Sequence, residues 1–275
     1  MSIICTEEEK QKLHEEDLKR VSEFRLMDDT FMRVVLKNNL KAAQYILRVV
    51  TGLSDLELIS EKTQEDMKRV TGARSICLDV YGSDASGRKY DLEIQKANTG
   101  ARPKRARYHS SILDIENLDA NQTFEELPET YTIFITEHDV FDEGRPYYLF
   151  NRYEHSTGKL FPDDEHILYV NGDYQKDDEI GRLMHDFKCK EPDDMYNKDL
   201  ADCARYYKKT EKGVTEMCQI MEDMREETEK RTEKATTMTN LKNLMDSLGL
   251  SLEQAMDALK IPKYEQDEFR SAMKQ

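Results

Sequence analysis

The stretch that decides the fold is residues 74–108, RSICLDVYGSDASGRKYDLEIQKANTGARPKRARY. Two runs with β-branched and aromatic residues flank a turn that contains glycine, a pattern that predicts a β-hairpin. With the turn centred near Ser86, Asp79 faces Glu93 across the strand pair, and Asp91 lies on the same face. Because side chains alternate between the two faces of a strand, the opposite face is apolar. That apolar face comprises Ile76, Leu78, Val80, Leu92 and Ile94.

The two facing carboxylates indicate a binding site for a cation. Asp79 and Glu93 repel each other at close range unless a positive charge lies between them, and oxygen pairs of this kind suit a hard divalent metal such as Mg²⁺. The alternative is a structural role, in which Asp79 forms a salt bridge with Arg74 or Arg105. Asp91 is expected to be an ordinary solvated strand residue.

The rest of the chain predicts an α/β protein. Hydrophobic spacing indicates helices and further strands in an order that favours a mixed central sheet flanked by helices, with a helical C-terminal region. We divide the chain into an N-terminal helix (1–27), a main domain (28–210) and the helical region (211–275). The predicted helices cover about residues 7–25, 40–50, 103–118, 196–209 and 211–247, and the predicted strands 56–59, 75–81, 88–96, 131–136, 146–153 and 166–170.

Composition bounds the location and the partners. The five cysteines form no CxxC pair, and no run approaches the roughly 20 apolar residues of a membrane span. Together with an N-terminus unlike a secretory signal, this predicts a cytoplasmic protein with no membrane partner and no zinc site. The net charge of −15 argues against a general nucleic-acid binder. However, the cations from Lys96 to Arg107 follow the hairpin with no acidic residue between them.

Several segments in order carry a family resemblance. LDVYGSDASGRKYDLEIQ resembles the active-site hairpin of the PD-(D/E)XK nuclease superfamily, with E-x-Q in place of the usual E-x-K. More specifically, the chain is similar to the recombination-promoting nuclease and putative transposase family over about residues 25–220. The other segments that carry the resemblance are Asp28-x-x-Phe31, ARPKRARYHSS, YTIFIT and HILYVNG.

The resemblance implies a restriction-endonuclease-like fold and metal-dependent DNA cleavage linked to recombination or mobile elements. Asp79 and Glu93 match the metal ligands of the family, and the backbone carbonyl of Ile94 would complete the metal shell. Gln95 matches the position of the usual catalytic Lys, where it can orient water or bond to phosphate without supplying positive charge. The implied cofactor is Mg²⁺, with Mn²⁺ as a substitute.

Three residues on the helix after the hairpin, Arg105, Arg107 and Tyr108, are candidate DNA contacts, because Arg binds phosphate with two hydrogen bonds. The alternative for them is an ordinary solvated helix face. Lys96 is expected to face away from the site, and Asp28 to cap a helix. The histidines are expected to be ordinary surface or core residues.

Two other functions stay open at this point. The chain could be a nuclease-fold module that binds DNA or a protein partner without cutting. It could also assemble into homo-oligomers through the helix predicted over residues 211–247, although the apolar spacing there is short of a sustained coiled coil.

Overall fold

A six-stranded sheet organises the described part of the chain, which in this computed structural model covers residues 7–37, 39–67 and 76–273. The strand order is β1-β2-β3-β4-β6-β5, with β3, β4 and β6 parallel and the other neighbours antiparallel. The sheet is therefore mixed, as the sequence predicts. The strands are β1 (Leu58–Met67), β2 (Ile76–Asp84), β3 (Lys89–Gln95), β4 (Thr130–Thr136), β5 (Tyr147–Phe150) and β6 (Glu165–Asn171).

The helices flank the sheet and fill the C-terminal region. None of the described helices is both long enough and apolar enough to cross a bilayer. The helices are α1 (Glu7–Glu23), α2 (Asp29–Leu36), α3 (Leu40–Thr51), α4 (Pro103–Glu116), α5 (Glu179–Lys188), α6 (Lys198–Lys209), α7 (Glu211–Leu248), α8 (Leu252–Ala258) and α9 (Lys263–Met273).

The chain divides into two compact units, Met1–Val214 and Thr215–Gln275. The second unit has its own apolar cluster, in which Leu241 of α7 packs with Met256 of α8 and Phe269 of α9. The helix α8 begins with the capping box that Ser251 and Gln254 predict, since each side chain bonds the backbone of the other residue.

The register of the central hairpin is the predicted one. Val80 pairs with Leu92, Tyr81 with Asp91, and Ser83 with Lys89, so the alternation of apolar and acidic residues fixes the faces of both strands. The two strands join through a turn around Ser86, which Asp84 organises.

Asp84 is the centre of this turn. Its Oδ1 accepts hydrogen bonds from the backbone N–H groups of Ser86 (3.0 Å) and Arg88 (2.9 Å). Its Oδ2 accepts from Arg88 Nε (2.6 Å) and from the Tyr90 hydroxyl (2.8 Å). Burial works against ionisation, but these donors together lower the pKa of Asp84. The turn is thus built on one buried, ionised carboxylate.

We expect Asp84→Asn to lower the free energy of unfolding by about 2 kcal/mol, because an amide cannot accept from all four donors and leaves Arg88 without its buried counter-charge. Urea denaturation measures the loss. Asp55→Asn is the matched control, since Asp55 pairs with the same guanidinium at 3.2 Å but its side chain is 69% exposed. Equal losses in the two variants would contradict this account.

The central strand is β4, every residue of which is buried. It lies between β3 and β6 in parallel register, with Glu93 opposite Phe134 and Gln95 opposite Thr136. The helix α4 packs over this part of the sheet, where Ala106 joins an apolar cluster with Phe134 and Tyr169. This packing brings α4 against the end of β3 that carries the acidic residues.

Candidate metal and catalytic site

The carboxylates of Asp79 and Glu93 lie between β2 and β3. Asp79 Oδ2 accepts a hydrogen bond from the backbone N–H of Ile94 (3.1 Å), and Glu93 Oε1 accepts one from the backbone N–H of Asp79 (3.1 Å). These bonds lie next to the last backbone pair, Val80 with Leu92. Each acid therefore reaches across to the opposite strand, and both side chains are buried.

A network from α4 covers the two strands. The guanidinium of Arg105 donates from Nη2 to Glu93 Oε2 (3.1 Å), from Nη1 to Gln95 Oε1 (3.4 Å) and from Nε to His109 Nε2 (3.2 Å). The other ring nitrogen of His109, Nδ1, lies 3.0 Å from Asp91 Oδ2. Arg105 thus bonds Glu93, Gln95 and His109 directly, and His109 links it to Asp91.

The protonation of His109 follows from its partners. Arg105 can only donate, so His109 Nε2 must accept, and the ring proton then lies on Nδ1 and bonds Asp91. Burial lowers the pKa of His109, and Arg105 adds to the effect against the opposing charge of Glu93. His109 is therefore a neutral imidazole in this site.

The pKa values of the three carboxylates of the site are raised, so that their simultaneous ionisation is unfavourable. Burial is the main cause that raises the pKa of Asp79, and the charges of Glu93 and of Asp29 on α2 add to it. Burial and the charge of Asp91 raise the pKa of Glu93. The pKa of Asp91 is also well above its ordinary value, again mainly through burial. Among the described residues, Arg105 is the cation that bonds one of these three carboxylates, Glu93, and three buried acids with one such partner favour a further cation.

The donor set fits a divalent cation. Asp91, Glu93 and His109 each offer one ligand atom, and these atoms all lie within 4.8 Å of one another. In addition, Asp91 Oδ1 is buried and has no hydrogen-bond partner among the described residues. Carboxylate oxygens are the ligands that Mg²⁺ and Mn²⁺ prefer, whereas both ring nitrogens of His109 already bond Arg105 and Asp91, so the carboxylates and not His109 would hold the ion.

The predicted site residues come together only in part. Asp79, Glu93, Gln95 and Arg105 belong to one neighbourhood, since Arg105 bonds both Glu93 and Gln95. The structural alternative was a salt bridge between Arg105 and Asp79. Arg105 instead pairs with Glu93. Arg74, the other candidate, lies outside the described residues.

The other predicted DNA contacts differ from Arg105. Arg107 is exposed, and no contact of its guanidinium is found among the described residues. Tyr108 is half-buried and packs against Ile112 and Leu113. Arg107 is therefore available to a ligand, whereas the ring of Tyr108 takes part in packing.

Two residues of the site were missed from the sequence. The expectation that Asp91 is solvated is wrong, since its side chain is 0% exposed. His109 is indeed a core histidine, but it also bonds both Arg105 and Asp91. The available signal was the spacing of Arg105 and His109, which places residues four apart on one face of a helix.

Lys96 and Asp28 lie beside the site. Asp28 occupies the N-cap position of α2, as expected, but its side chain makes no capping bond. Its carboxylate instead accepts from the backbone N–H of Arg25 and forms an ion pair with Lys96. Lys96 is therefore paired with Asp28.

Comparison with known proteins identifies the family. A family model described as "PD-(D/E)XK nuclease family transposase" matches residues 46–249, which is most of the chain. No curated protein and no solved structure matches. The mixed sheet with flanking helices confirms the predicted restriction-endonuclease-like α/β fold. The chain belongs to the PD-(D/E)XK nuclease family transposases.

Proposed function

We propose that this protein is a Mg²⁺-dependent DNA endonuclease that hydrolyses phosphodiester bonds in recombination or in the movement of mobile elements. Membership of a nuclease family supports this function. The observation that carries it is the pair of buried acids, Asp79 and Glu93, which lie between two strands and accept N–H bonds from each other's strand. Burying two carboxylates so close together is costly unless a cation is to bind them.

Asp79, Glu93 and the backbone carbonyl of Ile94 would hold the cation. In an extended strand the N–H and C=O of one residue point to the same side. The Ile94 N–H bonds Asp79 on the β2 side, whereas the Gln95 carbonyl accepts from Glu137 on the β4 side. The Ile94 carbonyl thus faces the same gap as the two acids. The bound ion would supply Lewis acidity, which activates the attacking water and offsets charge on the phosphate.

Gln95 is held at the edge of this gap. Its amide oxygen accepts from Arg105, and a Cβ added to Gly100 would lie 2.0 Å from that oxygen. Only glycine therefore fits at position 100 with Gln95 in this rotamer. The amide can orient a water molecule or bond a phosphate oxygen, but it carries no charge.

The first turns of α4 would contact the DNA backbone. Arg102, Lys104 and Arg107 are exposed cations there, and the helix begins at Pro103, where the positive end of the helix dipole adds to their charge. Phosphate contacts of this kind bind without reading sequence. We include Tyr108 as a flanking contact, and Arg105 as a residue that must first leave Glu93.

Arg107→Ala is expected to weaken binding to duplex DNA of any sequence and to reduce the slope of log affinity against log salt by about 1, since one phosphate contact is lost. Fluorescence anisotropy at several salt concentrations measures both quantities. Lys41→Ala on α3 is the control, because Lys41 is an exposed cation outside α4. Equal effects of the two variants would count against α4 as the DNA contact.

Plasmid nicking tests the proposed activity. The wild-type protein with Mg²⁺ is expected to nick supercoiled plasmid, and EDTA is expected to stop the reaction. Asp79→Ala, purified in the same way, shows whether the activity belongs to this site. If the wild-type protein and Asp79→Ala nick alike, a contaminant is responsible and the proposed activity fails.

A nuclease-fold module that binds DNA or a protein without cutting is the second candidate. The ion pair of Arg105 with Glu93 favours it, because a carboxylate that is already neutralised has less need of a metal. DNA binding with no nicking in Mg²⁺ would select this candidate.

A further inference from the structure

Arg105 has an unusual position for a surface cation. Three of its N–H groups each bond a different residue, namely Glu93, Gln95 and His109. Even so, its side chain is 41% exposed, whereas that of Glu93 is 1% exposed. The guanidinium therefore lies at the rim of the site, with one side on the buried carboxylate and the other accessible to a ligand.

The hydrogen bond that holds Arg105 on its own helix has an uncharged acceptor. His109 is neutral and accepts from Arg105 Nε, and its own position is set by the bond to the fully buried Asp91. The ring also packs edge-on against Phe134, with 5.5 Å between centroids. Arg105 would thus keep this hydrogen bond through Nε even if Glu93 were engaged elsewhere, which leaves both Nη groups available to donate to a phosphate.

We infer that Arg105 is the catalytic cation of this site, that it binds the scissile phosphate where Gln95 offers no charge, and that His109 and Asp91 position it. The inference rests on the proposed endonuclease function and adds a residue role to it. A guanidinium matches phosphate oxygens with two parallel hydrogen bonds and remains charged at any working pH.

The hydrolysis balances without any proton from Arg105. A bond forms between the water oxygen and phosphorus, and the bond from phosphorus to the leaving sugar oxygen breaks. One proton of the water ends on that leaving oxygen, and the other is released to solvent. Arg105 donates hydrogen bonds to the phosphate oxygens, where negative charge increases in the transition state.

The ion pair with Glu93 gives this role a specific signature. Arg105 leaves Glu93 at little cost only when the carboxylate shares its charge with a divalent cation. Its contribution to DNA binding therefore depends on that cation. Arg107 is already exposed and unpaired among the described residues, so its contribution does not depend on it.

Binding of duplex DNA, measured in Ca²⁺ and in EDTA, tests the inference. Arg105→Ala is expected to weaken binding about tenfold in Ca²⁺, the effect of one charge-assisted contact, and to change it little in EDTA. Arg107→Ala is expected to weaken binding equally in both. An equal loss for Arg105→Ala in both conditions, or no loss in either, overturns the inference, as does a wild-type protein that binds no DNA.

The roles of His109 and Asp91 are tested in the same assay. His109→Leu is expected to lose the same Ca²⁺-dependent part, with no further loss in the double variant with Arg105→Ala. His109→Gln keeps an acceptor for Arg105 and is expected to recover part of the binding, which also guards against a folding defect. Additive losses in the double variant overturn the positioning role.

This experiment separates the inference from the proposed function. A wild-type protein that shows the Ca²⁺-dependent contribution of Arg105 but does not nick plasmid in Mg²⁺ would end the endonuclease proposal. The same result would leave Arg105 as a phosphate-binding residue of the site. If the protein nicks plasmid and Arg105→Ala does not reduce the rate, the endonuclease proposal stands and the catalytic role of Arg105 fails.

Discussion

Replacing Glu93 with glutamine is expected to reduce plasmid nicking by at least about a thousandfold, the scale on which enzymes lose rate when a central electrostatic group is removed. Glutamine has nearly the same shape and can still accept the hydrogen bond from the Asp79 N–H. It removes the negative charge that would hold the cation, together with the second oxygen, which accepts from Arg105. Initial rates of nicking at saturating Mg²⁺ measure the loss.

The stability of the same variant distinguishes this loss from unfolding. Burial raises the pKa of Glu93 above its ordinary value of 4.5, so the folded protein binds this proton more tightly than the unfolded chain does. The free energy of unfolding therefore decreases as the pH rises above 4.5, because Glu93 must lose its proton in the folded protein. Without metal, Glu93→Gln should be at least as stable as the wild-type protein at pH 8.

Glu165→Gln is the matched control for Glu93→Gln. Glu165 is a buried glutamate on the neighbouring part of the sheet, bonded to Ser110 and Arg152, and it has no place in the proposed site. It is expected to change stability without removing nicking. Full nicking by Glu93→Gln would refute the assignment of the metal ligand.

Mg²⁺ is expected to stabilise the folded protein by about 4 kcal/mol when its concentration is a thousand times the Kd, through preferential binding to the native state. At a fixed Mg²⁺ concentration, the gain should increase as the pH rises from 6 to 8. The reason is that burial raises the pKa values of Asp79 and Glu93, and both must lose their protons before they bind metal. Thermal unfolding with and without Mg²⁺ at each pH measures the gain.

The variants Asp79→Asn and Glu93→Gln should lose most of this stabilisation, whereas Asp55→Asn, at an exposed carboxylate on the first unit, should keep it. Potassium chloride at equal ionic strength controls for screening of surface charges. A gain that does not depend on pH, or that persists in both site variants, would contradict metal binding by these acids.

The sequence predicts the parts of this fold that local patterns determine. The hairpin register follows from the alternation of apolar and acidic residues, because a slip by one residue would bury the wrong face. The strand YTIFIT is rich in apolar and β-branched residues and is buried on both faces as β4. Gly52 ends α3 in the left-handed conformation, as its place after the helix indicates.

The remaining parts depend on contacts between elements distant in sequence. The apolar spacing of Tyr108, Ile112 and Ile115 predicts a buried stripe on α4, but Ile115 is 42% exposed. The face that packs on the sheet also carries His109 and Ser110, since α4 covers the polar residues of β3. The periodicity of apolar residues cannot predict a helix face that is buried because it makes hydrogen bonds.

The limits of β1 also depend on contacts with another strand. The apolar segment at residues 56–59 predicts a short strand, but β1 runs from Leu58 to Met67 through charged residues. Its pairing with β2 continues to Ile76, and a partner strand stabilises a segment whose own composition does not favour extension. From about Asp177 the sequence favours helix, and α5 does begin there, with Asp178 as an N-cap that accepts from the Gly181 N–H.

The contact between Gln95 and Arg105 has an evolutionary consequence. A positive charge that β3 no longer carries can be supplied from α4, because the two side chains meet although ten positions separate them in sequence. From β3 alone, such a chain would be classed as a nuclease that lacks its catalytic cation. If Arg105 has the proposed role, positions 95 and 105 are expected to vary together among relatives, so that a chain with lysine at position 95 has less need of arginine at position 105.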